Sequence, residues 1–192
     1  PVTVYVDCDS PNDPGTETRN DPFRRIQDAI NVSSGGKHVI VAEGRYTENL
    51  IFDMNNIILS SADIDNPDIT TNTIIDGNAI DSVIKCINKN NIVIKGFVLT
   101  NGYSGQGGAI YCVDSNPSIS NCSFISNTAT IGGRMFNLRS SPMLANCLFT
   151  NNTAEFQAGA IYNQQSSPSI TNCTFVKNSA EFIDSGIFNY DA

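Results

Sequence analysis

Residues able to do chemistry are sparse in this chain, and their spacing limits what each could do. The loop Asp7-Cys8-Asp9-Ser10-Pro11-Asn12-Asp13 carries the carboxylates Asp7, Asp9 and Asp13, and Asp63-Ile64-Asp65-Asn66-Pro67-Asp68 forms a second acidic loop. Calcium takes six to eight oxygens, and neither loop has the glycine turn and closing glutamate of an EF-hand, so both are weak calcium candidates. Glycoside hydrolysis needs two carboxylates facing one groove about 5–10 Å apart. Asp114, Glu155, Glu181 and Asp184 sit near turns and share no evident column, and Arg134, Arg139 and Lys177 are as scattered. A zinc or iron site needs several converging ligands, yet the chain has one histidine, His38, placed where His38-Val39-Ile40-Val41 reads as the start of a strand, and no Cys-x-x-Cys pair. No catalytic residue is assigned, no cofactor beyond calcium comes into question, and catalysis within this chain is not expected.

The elements that would position these residues follow from a repeat. Ala109-Ile110-Tyr111-Cys112, Ser115-Asn116-Pro117, Asn121-Cys122-Ser123-Phe124 and Asn127-Thr128-Ala129 make one unit. Met135-Phe136-Asn137, Ser140-Ser141-Pro142, Asn146-Cys147-Leu148-Phe149 and Asn152-Thr153-Ala154 make the next. Ile161-Tyr162-Asn163, Ser166-Ser167-Pro168, Asn172-Cys173-Thr174-Phe175 and Asn178-Ser179-Ala180 make a third, and Ile187-Phe188-Asn189 opens a fourth. Such self-similarity marks a solenoid. Apolar residues alternate, Cys122 and Phe124 against Ser123 and Ile125, in short β-branched segments divided by Asn, Ser, Pro and Gly, which is strand-and-turn chemistry. A unit of about 25 residues with three short strands is one coil of a single-stranded parallel β-helix, an all-β solenoid.

Stacked coils turn equivalent residues into ladders at about 4.8 Å. Cys122, Cys147 and Cys173 become a buried thiol column, read as reduced although neighbouring coils lie within disulfide range. Phe124, Phe149 and Phe175 become an inward aromatic stack. Asn121, Asn146 and Asn172 occupy one corner and Asn127, Asn152 and Asn178 another, where asparagine accepts left-handed backbone angles and bonds to the amide of the next coil.

Less regular coils precede these, with strands at Val39–Glu43, Asn49–Phe52, Ile57–Ser60, Thr73–Ile75, Val83–Ile87 and Ile92–Leu99, and with Cys86 in the column of Cys112. Asp21-Pro22-Phe23-Arg24-Arg25-Ile26-Gln27-Asp28-Ala29-Ile30 has a capping-type aspartate, a proline and apolar residues at helical spacing, so an amphipathic helix covers the first coil. The chain divides into an N-terminal strand, loop and capping helix over 1–36, irregular coils over 37–108 and regular coils over 109–192.

One residue breaks the repeat. Arg134 stands in the column of Ala109 and Ala160, and the replacement of a small residue by arginine places that column outward. It shares strand parity with Tyr111, Phe136, Tyr162 and Phe188, whereas Ile110, Met135, Ile161 and Ile187 take the other face. With the isoleucine column in the core, the aromatic column is an exposed stripe suited to sugar rings or a protein partner. Tyr111, Phe136, Tyr162, Phe188 and Arg134 are therefore the candidate ligand-binding residues.

Composition narrows the function classes. A net charge of −8 argues against nucleic acid or an anionic membrane surface, which call for basic patches. The longest apolar runs are strand-sized, so no membrane insertion is expected.

The opening Val4-Tyr5-Val6-Asp7, the helix with Ile26-Gln27-Asp28-Ala29-Ile30, and Val39-Ile40-Val41-Ala42-Glu43-Gly44-Arg45-Tyr46 resemble the start of bacterial pectate-lyase-like β-helix proteins. Gly108-Ala109-Ile110-Tyr111 and Phe124-x-x-Asn127 resemble the coils of polymorphic outer-membrane adhesins. The resemblance implies a right-handed β-helix in a secreted or cell-surface protein. It implies less about activity, because that scaffold carries lyases, glycosidases, adhesins and tailspikes. The leading expectation is a structural or adhesive module that binds a polysaccharide or a surface protein through its lateral face. One alternative is the N-terminal part of a polysaccharide lyase or glycoside hydrolase. Another is end-to-end self-association through an uncapped last coil, giving an extracellular filament.

Overall fold

The computed structural model describes residues 2–33, 35–131, 134–157, 159–182 and 186–191, leaving aside the side chain at 157. Asp184 lies outside the described residues. Every strand pair in the ladder network is parallel, and the strands gather into four sheets. The first has seven strands: Thr3–Val6, His38–Val41, Ile58–Ser61, Val93–Lys95, Ser118–Ser120, Met143–Ala145 and Ser169–Thr171. The second has six: Gly44–Thr47, Thr73–Asp76, Val98–Thr100, Ser123–Ile125, Leu148–Thr150 and Thr174–Val176. The third also has six: Leu50–Phe52, Ile84–Ile87, Ile110–Val113, Met135–Leu138, Ile161–Gln164 and Ile187–Tyr190. A fourth, four-stranded sheet contains Tyr103–Gln106, Thr128–Ile131, Thr153–Gln157 and Ser179–Ala180. The chain is a right-handed parallel β-helix. The sequence indicates three strands per coil; a regular coil has four, because the polar segment after each Asn127-type corner, which shows little hydrophobic alternation, pairs with its equivalents.

Each regular coil turns at three corners on residues with left-handed backbone angles. These are Asp114, Arg139 and Gln165 at the first, Asn121, Asn146 and Asn172 at the second, and Ser126, Asn151 and Lys177 at the third. The expectation of left-handed asparagines therefore holds for Asn121, Asn146 and Asn172, whose amides also chain together, Asn146 Nδ2 to Asn121 Oδ1 at 3.1 Å and Asn172 Nδ2 to Asn146 Oδ1 at 2.7 Å. At the other corner the preceding residue takes that angle, while Asn127, Asn152 and Asn178 turn inward. Asn152 Oδ1 accepts from Asn127 N at 2.8 Å and Nδ2 at 2.9 Å, and Asn152 Nδ2 donates to Phe124 O at 2.9 Å. This satisfies backbone groups that a tight corner would otherwise bury unpaired. Ser115, Ser140 and Ser166 act similarly, Ser115 N donating to Ser140 Oγ and Ser140 N to Ser166 Oγ.

The core runs along the axis. It contains Ile110, Met135, Ile161, Phe124, Phe149, Cys86, Cys112, Cys122 and Cys147. Phe124 and Phe149 stack at 4.4 Å and 2°, and Phe149 and Phe175 at 4.7 Å and 6°. Cys86 and Cys112 are register partners. A further interior column, Asn137, Asn163 and Asn189, lies outside the ladders expected from the sequence; its amides bond in series at 2.8 and 2.9 Å. Its spacing of 26 residues is the signal that marks it in the chain.

The N-terminal helix is Ile26–Asn31, shorter than the sequence indicates, and it seats Ile26, Ala29 and Ile30 on the first coils. Asp21 does not cap it. Glu48, on a neighbouring coil, accepts from Ile26 N at 2.8 Å and Gln27 N at 3.0 Å, placing a carboxylate at the positive helix end. A second short helix, Pro67–Asn72, is absent from the sequence reading.

All six cysteines are thiols. Burial pushes Cys122 up to about 11 and raises Cys147 further, the neighbouring thiols adding repulsion to burial at Cys147. Because the thiolate is the reactive form, a disulfide-exchange reagent should label the half-buried Cys8 and Cys173 first in the native chain. The other four should react only on unfolding. Simultaneous labelling of all six in native buffer would contradict the buried columns.

Candidate lateral binding site

The outer face of the third sheet carries two columns, and the aromatic one is Ile51, Lys85, Tyr111, Phe136, Tyr162 and Phe188, in direct register. Its rings stack in sequence. Tyr111 and Phe136 lie 5.6 Å apart at 13°, Phe136 and Tyr162 5.2 Å at 7°, and Tyr162 and Phe188 5.3 Å at 27°. The column is outside the core, as strand alternation requires, but it is not the open stripe expected from sequence. Phe136 is 2% exposed and Tyr162 8%, and Ile131 and Leu138 pack against them. The cover comes from two sides, since Ile131 lies on the fourth-sheet strand Thr128–Ile131 and Leu138 on the third sheet's own strand Met135–Leu138. Stacking also uses the ring faces on each other. Among the described residues, Tyr111 has one face against Phe136 and the other toward the coil of Lys85, where no aromatic ring follows.

That face opens into a cleft of about 530 Å³ lined by Lys85, Ser104, Gly105, Gln106, Tyr111, Thr130 and Ile131. Lys85 is paired with Asp81 at 2.5 Å, and Asp81 Oδ1 also accepts from Ser82 N at 2.8 Å. Beside the column, just past the ends of the Tyr111 and Phe136 strands, Arg139 grips Asp114 through two bonds, 2.8 and 2.7 Å, which holds the Asp114 carboxyl below its ordinary range. The two are 25 residues apart, so the repeat period already places them on adjacent coils. Sequence inspection missed this pair because one member is acidic and the other basic.

Arg134 is elsewhere, and its outward placement is corrected. It is wholly buried, packs its guanidinium 5.7 Å from the Phe149 ring, and donates from Nη2 to Asn178 Oδ1. Nε and Nη1 have no partner among the described residues. Strand parity fails because Arg134, like Ala109 and Ala160, sits at a bend before its strand. Both Arg134 and Met135 can therefore face the core. Burial lowers the guanidinium to about 9. Arg134 is not part of a surface site.

The acidic residues separate in space. Asp7, Cys8 and Asp9 bring their ligand atoms within 4.8 Å of one another, without Asp13. Asp7 Oδ1 already accepts from Asp9 N at 2.9 Å, and the third group is a thiol whose proton is held more tightly, by burial and then by Asp9. Two carboxylates and a protonated thiol do not supply the oxygens calcium requires. Asp13 lines a cleft with Cys8, Arg24, Arg25 and Arg45. Asp63, Asp65 and Asp68 are exposed, and Asp63 is occupied by a backbone turn, its carboxylate accepting from Asp65 N. Glu155 and Glu181 do share a column, following the paired Ala154 and Ala180, contrary to the sequence reading. Both are exposed, Glu155 within its strand and Glu181 just past the end of Ser179–Ala180, beside the stacked Phe156 and Phe182, with no groove among the described residues to hold a substrate between them.

Comparison with known proteins agrees with the fold. The model for the Chlamydia polymorphic membrane protein repeat matches residues 146–164, less than one coil of the regular region. A rhamnogalacturonan lyase structure superposes with a TM-score of 0.51 at 13% identity, covering 98% of this chain and 62% of that one. The deglycosylated pectin methylesterase of Aspergillus niger gives a TM-score of 0.46 at 11% identity, covering 98% and 84%. No curated protein sequence matches. The chain thus has the pectate-lyase-like β-helix fold, with coil sequences similar to polymorphic membrane protein repeats.

Proposed function

We propose that this chain is a secreted or cell-surface β-helix module whose role is adhesive, and that it binds a glycan or protein partner through the lateral face around Tyr111. The observation that carries this is the free Tyr111 ring face at the end of an otherwise self-stacked column, beside an open polar cleft. Elsewhere the ladders are used up in holding coils together, which is what a rigid extended display surface needs. The similarity of residues 146–164 to a Chlamydia polymorphic membrane protein repeat supports the surface location.

The test is binding of the labelled chain to a glycan array and to cell-surface extracts, in parallel with a Tyr111→Ala/Lys85→Glu variant. Release of unsaturated uronates is followed by ultraviolet absorbance. Binding by the native chain that the double variant loses, with no product released, is the expected result. Binding indifferent to the two changes would remove the lateral face from the function, and turnover would replace the module reading with a lyase.

A further inference from the structure

We infer that the Tyr111 cleft is a subsite for one neutral pyranose unit of a glycan, a reading that rests on the lateral-face proposal and narrows its ligand. The cleft has the three parts that a sugar ring requires. Tyr111 offers a flat apolar face whose negative π-surface attracts the polarised C–H bonds of a pyranose. Lining the same cleft, the fourth sheet contributes Ser104, Gln106 and Thr130, whose side chains both donate and accept, as sugar hydroxyls do. At the rim, the Asp81–Lys85 pair provides an acceptor and a donor fixed side by side.

The width of the platform sets the number of units. Above Tyr111 the rings of Phe136 and Tyr162 are stacked and roofed, and below it the column continues as Lys85 and then Ile51. Only one aromatic face is therefore available, so the cleft reads a single ring, and further sugar units extend over polar surface.

Charge sets the class. Among the described residues, the only cation lining the cleft is Lys85, and Asp81 already neutralises it at 2.5 Å. Arg139, near the same tyrosine, is held by both oxygens of Asp114. A uronate carboxylate would have to displace Asp81 on a chain of net charge −8, whereas a neutral hydroxyl can accept from Lys85 and donate to Asp81 without breaking the pair.

The experiment titrates the whole chain with neutral tetrasaccharides of glucose, galactose, mannose and xylose, and with tetragalacturonate, by calorimetry and saturation-transfer NMR. At least one neutral tetrasaccharide should bind. Tyr111→Ala should weaken it roughly tenfold or more, the scale of a lost stacking contact. Tyr111→Phe should keep it within about threefold, since only a rim hydrogen bond is at stake. Tyr111→Leu, which retains apolar bulk without a ring, stands in if the alanine variant does not fold and should weaken binding similarly. Binding of tetragalacturonate alone, of none of the sugars, or of a neutral sugar with undiminished affinity in the ring-less variant would overturn the inference. In the first two cases array or extract binding that depends on Tyr111 and Lys85 would leave the lateral-face proposal standing.

Discussion

Replacing Arg134 with methionine should stabilise the protein, raising its thermal midpoint by an amount equivalent to about 1–4 kcal/mol. Most buried-to-apolar exchanges of a charged residue fail because they orphan an ionic partner, but among the described residues no carboxylate pairs with Arg134. The guanidinium has one hydrogen bond, to Asn178 Oδ1, and a Phe149 ring beside it. Nε and Nη1 find no partner among the described residues. Asn178 retains the amide of Asn152 N at 3.5 Å, and an unbranched thioether follows much of the arginine path along Phe149. The pH dependence gives an independent check. The folded guanidinium titrates at about 9, below its unfolded value. Between these two values the unfolded chain binds more protons, so the wild type gains stability as pH rises through that window. The penalty is complete below pH 9, and the advantage of Arg134→Met should shrink above it. Thermal melts of both proteins across this range measure the gap; a less stable variant at neutral pH would show that the cation is satisfied in the core.

Phe149→Ala should destabilise by about 3–5 kcal/mol, the largest single-residue loss expected in the coils. Its ring lies between Phe124 and Phe175, at 4.4 and 4.7 Å and nearly parallel to both, and it supports Arg134. In a solenoid each coil is held mainly by its two neighbours, so removing the middle ring weakens two interfaces together. Collapse into the gap is resisted by the ladder of Asn152 and Asn178, which pins the adjacent corner to Phe124 O and Phe149 O. Phe156→Ala provides the contrast. That ring is 48% exposed on the fourth sheet and should change stability by less than about 0.5 kcal/mol. Denaturant melts of the two variants should differ accordingly; equal effects would mean that the Phe124–Phe149–Phe175 stack is not the structural spine.

The repeat makes the architecture legible in the chain itself. Cys122, Cys147 and Cys173 recur at nearly constant spacing, and constant spacing in a stacked coil is register, so the thiol column, the phenylalanine stack and the corner asparagines fall directly out of it. The same arithmetic pairs Asp114 with Arg139 and aligns Glu155 with Glu181. The Asp114–Arg139 pair is hard to see because the eye follows identical residues rather than positions. The helix cap is hidden for a different reason, since Glu48 reaches Ile26 from a neighbouring coil and leaves no local signature.

The sequence by itself determined the period, the parallel stacking and the set of residues that face the axis within each strand, because alternation and spacing are properties of the chain. Tertiary structure decided what covers the outside. Whether Phe136 and Tyr162 meet solvent depends on the fourth sheet folding over them, and the direction of Arg134 depends on a bend where strand parity is lost. Each is a matter of how one coil turns into the next, which period and alternation do not encode. The same folding leaves a face of the Tyr111 ring open to the cleft beside it.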